Sequence, residues 1–244
     1  MRPAGGYCAP GEATQLGCVL SLDPTTLDPL APLTAQELAA LPLFPLPRAV
    51  VLPGTSVALH VFEPRYRAMV RHCLEHGRAM ALVRIRRGHE KEQAGEPPIH
   101  DVAGAGRIVA HRANPDGTSD IVFACTTRVR IEELPFQPPF RRAKATVLED
   151  IATDPRAVTG LYAELLRHAP FVVAATAGAA APAYDVDGDA GRLADRLLGL
   201  LVEHPDERQR MLETAGVEQR LATALATVHA IQRARGRQAG ELVN

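Results

Sequence analysis

The stretch "HVFEPRYR", His60–Arg67, changes character partway along. His60, Val61 and Phe62 close an alternating β-type run that starts at Thr55. Pro64 then suits the first turn of a helix, where a missing amide costs nothing and φ is already set. Glu63 sits where the helix dipole is positive, and it stands four residues before Arg67, a spacing at which opposite charges pair. Read onward on a helical wheel, Tyr66, Met69, Val70, Cys73 and Leu74 fall on one apolar stripe. Gly77 supplies a stop. The stretch is a strand-to-helix corner whose helix is predicted over Pro64–His76, with Tyr66 turned into a core.

The end of that helix reads "HCLEH", and His72, Glu75 and His76 spell the H-x-x-E-H spacing of a zinc peptidase family. Two imidazoles four apart can share an ion, with the carboxylate acting on its water. The wheel instead puts all three on the polar side with Arg67 and Arg71, in the last turn before a glycine. Imidazolium near a helix C-terminus is favourable on its own account. These residues are therefore rejected as metal ligands.

Outward from the corner, the chain has two textures. Between Leu41 and Asp150, short β-type runs are separated by Pro and Gly: "TSVALHV", "AMALVRIR", "GRIVAHR", "DIVFAC", "TRVRIEEL" and "RAKATVLE". "NPDG", Asn114–Gly117, is a hairpin turn between two of them. "GAG", Gly104–Gly106, is too short for a dinucleotide fingerprint and reads as a bulge or a tight start to a strand. Ahead of the β region, Thr34 and Glu37 have the spacing of a capping box. After Asp154 the periodicity is helical, with leucines three and four apart. Asp154-Pro155 is the N-cap and first turn of the first such helix. The expected organisation is α+β: a loose leader over 1–33, a β-rich domain over 34–150 and a helical bundle over 151–244.

Composition removes several classes. The formal net charge is −1, so no whole-protein field draws nucleic acid or anionic membrane. The strand arginines Arg84, Arg86, Arg87, Arg128 and Arg130 could share a face, but aromatics are only 4% of residues, too few for base-stacking platforms. The apolar stretch "FVVAATAGAAAPA" has 13 residues, short of the about 20 a membrane span requires. Four cysteines lack C-x-x-C spacing and read as free thiols in a reducing, cytoplasmic setting. No cofactor motif is present. There is no G-x-x-x-x-G-K-[ST], and neither Lys91 nor Lys144 follows a glycine.

Taken together, "LPLFPL", "VVLPGTSVALHVFEPRYR", "GRIVAHR", "NPDG", "DIVFACTTRVRI" and "RAKATVLED" resemble the Lon N-terminal domain, the substrate-binding module of Lon proteases. The likeness is greatest to bacterial relatives that carry this domain without ATPase or peptidase. The most specific element is His60, Phe62, Glu63, Pro64, Arg65, Tyr66 and Arg67. The likeness implies a β-rich pseudo-barrel or sheet followed by a helical bundle, covering about residues 41–235. Thr126 and Thr127 stand where the family usually has a glycine.

The resemblance implies a non-enzymatic module for unfolded or extended polypeptide segments or a partner protein, with an adaptor or assembly role in proteolysis and self-association as a variant. "LPFQPPF" offers Leu134, Phe136 and Phe140 spaced by prolines, and a second apolar candidate lies at the domain seam near Phe171 and Val172. The competing readings are a metal-dependent hydrolase on "HCLEH" and a weak nucleic-acid binder.

Overall fold

The computed structural model describes residues 31–91, 96–177 and 189–241, and side chains within these except at 169–177 and 238–241. The chain divides into two compact units, Met1–Val147 and Leu148–Asn244.

The first unit begins with α1 (Ala35–Ala39) and continues through β1 (Leu41–Leu46), β2 (Ser56–Val61), α2 (Pro64–Glu75), β3 (Ala79–Arg84), β4 (Val102–Ala113), β5 (Ser119–Glu133) and β6 (Arg142–Val147). The strands form one mixed sheet in the order β2-β5-β4-β3-β1-β6, and β6 also pairs with β5, closing a ring. Closure depends on the length of β5. Ser119–Ala124 pairs with β2, Val129–Glu133 pairs with β6, and β4 runs along the other edge. The two runs "DIVFAC" and "TRVRIEEL" are thus one strand. The ladder with β4 shifts register between Ala105 and Gly106, opposite Thr127 and Cys125, which leaves Thr126 as the extra residue of a bulge where β5 changes partner. Close backbone approach explains the glycines: a Cβ on Gly106 would collide with the Ala124 carbonyl, and one on Gly104 with that of Val51.

β1 contains Pro42 and Pro45 yet lies inside the sheet. Leu43 donates its amide to Arg141 on the β6 side, and Leu46 accepts from Ile85 on the β3 side. Because successive residues face opposite edges, Pro45 faces the β6 side after that pairing has ended. Pro42 faces the β3 side before that pairing begins. Neither missing amide leaves a gap in a ladder.

Two apolar clusters lie on opposite faces of these strands. One draws on all the ring strands and is rich in small residues, including Ala79, Ala81, Ala103, Ala105, Ala143 and Ala145, as a narrow ring interior requires. The other packs α2 against the sheet, with Tyr66, Met69, Val70 and Cys73 meeting Phe44, Met80, Ile108 and Phe123. The apolar stripe read from the sequence is the buried face.

α1 is fastened by charge. Thr34 and Glu37 form the capping box, and Glu37 also holds the buried Arg107 of β4 through both guanidinium nitrogens. Arg107 further donates to the carbonyls of Gly77 and Pro32. Burial raises the Glu37 pKa, but the Arg107 and Thr34 hydrogen bonds outweigh it and hold the carboxyl below its ordinary value. Leu33, at the end of the expected leader, packs on the ring-interior cluster. The rest of the leader, through residue 30, lies outside the described residues.

The second unit comprises α3 (Pro155–Ala177), α4 (Ala190–Leu201), α5 (Pro205–Glu213) and α6 (Val217–Glu241). Asp154 caps α3 through the amides of Arg156 and Ala157. α3 runs past Pro170, which forfeits the hydrogen bond to the Leu166 carbonyl. Leu165, Leu193, Leu197, Leu221, Ala224 and Val228 are fully or almost fully buried. Arg220 is buried among them, with Asp195 and Asp150 each 2.6 Å away. No described helix is long and apolar enough to cross a membrane.

Candidate functional site

The strand-to-helix corner at Pro64 is built for position. Glu63 caps α2 by its backbone carbonyl, which accepts from Tyr66 and Arg67 at 3.0 and 2.9 Å. Its carboxylate pairs with Arg65 at 3.0 Å and not with Arg67. The Arg65 guanidinium lies over the Tyr66 ring, 4.4 Å from its centroid, and Tyr66 packs on Phe44. Burial pushes the Tyr66 hydroxyl up to about 12. Arg67 lies instead against the Asn114–Gly117 turn, where a Cβ on Gly117 would strike its guanidinium. His60 bonds Asp120 at 2.7 Å, and Asp120 also takes Arg112 and Asn114. Burial raises the Asp120 pKa, yet these donors prevail and lower it. Phe62 is the exposed large apolar member of the motif, at 45%, with His60 and Pro64 exposed beside it. The corner locks β2, α2 and the β4–β5 turn together. Along its other edge, β2 bonds to no strand among the described residues.

The loop "LPFQPPF" between β5 and β6 splits its apolar residues. Phe140 is 4% exposed and belongs to the α2 cluster, against the His72 ring at 5.4 Å and beneath the Arg142 guanidinium at 4.6 Å. Phe140 does not share an outer patch with Leu134 and Phe136: its side chain fills the space between α2 and β6. Leu134 and Phe136 stay outside, at 37% and 47% exposure. The loop base is tied by Leu134 donating to the Arg142 carbonyl and by Arg141, which holds Glu133 and the Pro97 carbonyl. Leu134 and Phe136 are therefore displayed on a braced loop. Phe62 and this loop mark opposite ends of β5.

The "HCLEH" turn does not converge. His76 is the C-cap of α2, and its Nδ1 contacts the His72 carbonyl at 2.8 Å. His72 is half-buried, not on the open polar side, because Phe140 arrives from β6 and covers it on one side while His76 stacks on it at 4.3 Å. Burial, His76 and Arg142 lower its pKa. Cys73 is buried on the far side of the helix, and its thiol is pushed up to about 12. The strand arginines are dispersed too: Arg84 and Arg128 are buried, and Arg86 is held by Asp101 and the Ile99 carbonyl. Phe171 and Val172 lie on the path of α3, with side chains outside the described ones.

A closed mixed ring with an added strand, followed by a helical unit, defines an α+β fold of the Lon N-terminal kind. The family model described as the ATP-dependent protease La (LON) substrate-binding domain matches residues 40–229, and the chain belongs to that family. A Lon N-terminal domain protein from Xanthomonas campestris has a similar structure, with a TM-score of 0.54 at 25% identity, covering 77% of this chain and 97% of that one. The N-terminal domain of the Mycobacterium avium complex Lon protease shares the fold, with a TM-score of 0.53 at 16% identity, covering 78% and 98%. Among curated relatives, Lon protease 2 of Myxococcus xanthus is 24% identical over 86% of this chain and 26% of its own length. The Lon protease of Cytophaga hutchinsonii is 26% identical over 56% of this chain and 18% of its own. The chain thus spans about a quarter or less of the Lon proteases it matches.

Proposed function

We propose that this chain is a non-catalytic module that binds unfolded or extended polypeptide in the cytoplasm, with Leu134 and Phe136 as its principal apolar contacts. The observation that carries the reading is the display of these two side chains on a loop whose Phe140 is anchored in the core. Apolar groups held out on a braced loop lose little entropy on capture, which favours binding. The edge of β2 that bonds to no strand among the described residues, just before Phe62, would add main-chain hydrogen bonds to an extended segment. Family membership supports polypeptide as the ligand class. Cys73 and Cys125 form no disulfide among the described residues, which suits a reducing compartment. The same exposed groups would serve delivery of substrates to a protease or self-association.

The test is anisotropy of a labelled, unstructured peptide rich in Leu and Phe, titrated with wild type and with Leu134→Ser/Phe136→Ser. A loss of about tenfold or more, worth about 1.4 kcal/mol, is expected in the variant. No binding by the wild type, or equal binding by a folded variant, would refute the assignment.

A further inference from the structure

We propose that Glu164, His168 and His229 form a site for a zinc-class divalent ion that clips α3 to α6. It is independent of the polypeptide-binding surface and lies wholly within the helical unit. Glu164 and His168 stand one turn apart on α3, so both project toward the same neighbour. His229 comes from α6, which packs along α3. One ligand atom from each lies within 4.8 Å of the other two, and among the described residues no other three His, Cys, Asp or Glu side chains converge in this way.

The geometry suits coordination as well as proximity. Metal–ligand bonds of about 2.1 Å in a tetrahedron place donor atoms about 3.4 Å apart, within reach of small side-chain rotations from the present separations. Two imidazoles on one such ion have ring centroids about 5 Å apart. The His168 and His229 centroids are 5.2 Å apart, with their planes at 78°. All three residues are half-buried, beside the fully buried Leu165 and Val228. That setting keeps a core on one side and leaves an approach on the other. A competing cation is Arg167, whose guanidinium reaches Glu164 at 3.6 Å from an exposed position, a weak pair that an ion would displace.

Two imidazoles and one carboxylate, with no thiolate, select zinc and its neighbours over the hard ions calcium and magnesium, which want oxygen shells. Three protein ligands leave a fourth position for water or for a donor from a bound partner.

The test uses the full chain, freed of any tag and stripped with chelator, titrated with zinc against a chromophoric competitor and with cobalt(II) for its visible spectrum. Wild type is expected to take one equivalent, give the intense bands of tetrahedral cobalt and melt at higher temperature with zinc present. His168→Ala/His229→Ala should lose all three responses, and His72→Ala/His76→Ala should keep them. Should the double variant fail to fold, Glu164→Gln keeps both imidazoles and the side-chain volume. It should weaken zinc at least about tenfold, since even partners one bond further out cost that much. No uptake by wild type, uptake unchanged in Glu164→Gln, or loss confined to His72→Ala/His76→Ala would overturn the proposal.

Discussion

Changing Glu37 to Ala should cost more than removing the arginine it holds, because the two partners differ in access to water. The Arg107 side chain is 4% exposed and the Glu37 side chain 15%. In Glu37→Ala the guanidinium stays buried with only the Gly77 and Pro32 carbonyls. Breaking a buried pair from one side typically costs about 3–5 kcal/mol. In Arg107→Met the carboxylate keeps the Thr34 amide and hydroxyl and can turn toward water. That loss is about 1.5–3 kcal/mol, the worth of hydrogen bonds to a charged group. The double variant Glu37→Ala/Arg107→Met should then be more stable than Glu37→Ala alone, since the stranded cation has gone. Hydrogen exchange read by mass spectrometry on β4 peptides isolates the first unit from the second. The gap between wild type and Glu37→Ala should also depend on pH. The folded-state pKa of Glu37 lies below its ordinary 4.5, so its contribution is complete above that value and is lost as pH falls through the lower, folded-state value. A double variant weaker than Glu37→Ala by the full cost of Arg107→Met would refute the reasoning, as would a gap that stays constant on acidification.

Three further outcomes follow from positions already described. Phe140→Ala should destabilise by about 3–5 kcal/mol, while Leu134→Ser/Phe136→Ser stays within about 0.5 kcal/mol, measured by urea unfolding followed by circular dichroism. Gly106→Ala, which drives a methyl into the Ala124 carbonyl, should cost about 1–3 kcal/mol or more; Gly160→Ala, on an open helix position, should gain about 0.5–1 kcal/mol in the same assay. Arg220→Met removes the buried cation that pairs with Asp195 and Asp150 in the helical unit and should cost about 3–5 kcal/mol, with exchange in α4 and α6 peptides rising and β4 peptides unchanged.

Local chemistry was legible in the sequence wherever it acts between near neighbours. The corner at Pro64, the stripe from Tyr66 to Cys73, the Thr34–Glu37 cap, the Asn114–Gly117 turn and the glycine bulge each depend on residues a few positions apart. What was not legible depends on who arrives from a distance. Phe136 and Phe140 look alike in sequence, and only the approach of His72 and Arg142 decides that one is buried. The same contact half-buries His72, which the wheel of its own helix places on the polar side. Two prolines in "LPLFPL" argue locally against a strand; the switch of pairing from β6 to β3 is what tolerates them. Arg107 meets Glu37 across 70 residues, and His229 meets His168 from another helix, and no periodicity reports either.

The partner change along β5 has a consequence for how the strand tolerates length. Since β2 is matched to Ser119–Ala124 and β6 to Val129–Glu133, the bulge at Thr126 separates two independently specified registers. A residue inserted there would leave Ile121 and Phe123 facing α2 but would turn Val129 and Ile131 out of the ring interior, because side-chain direction alternates at every step. The bulge is thus a joint at which one half of the first unit can be altered in length only at the expense of the other half's inside and outside.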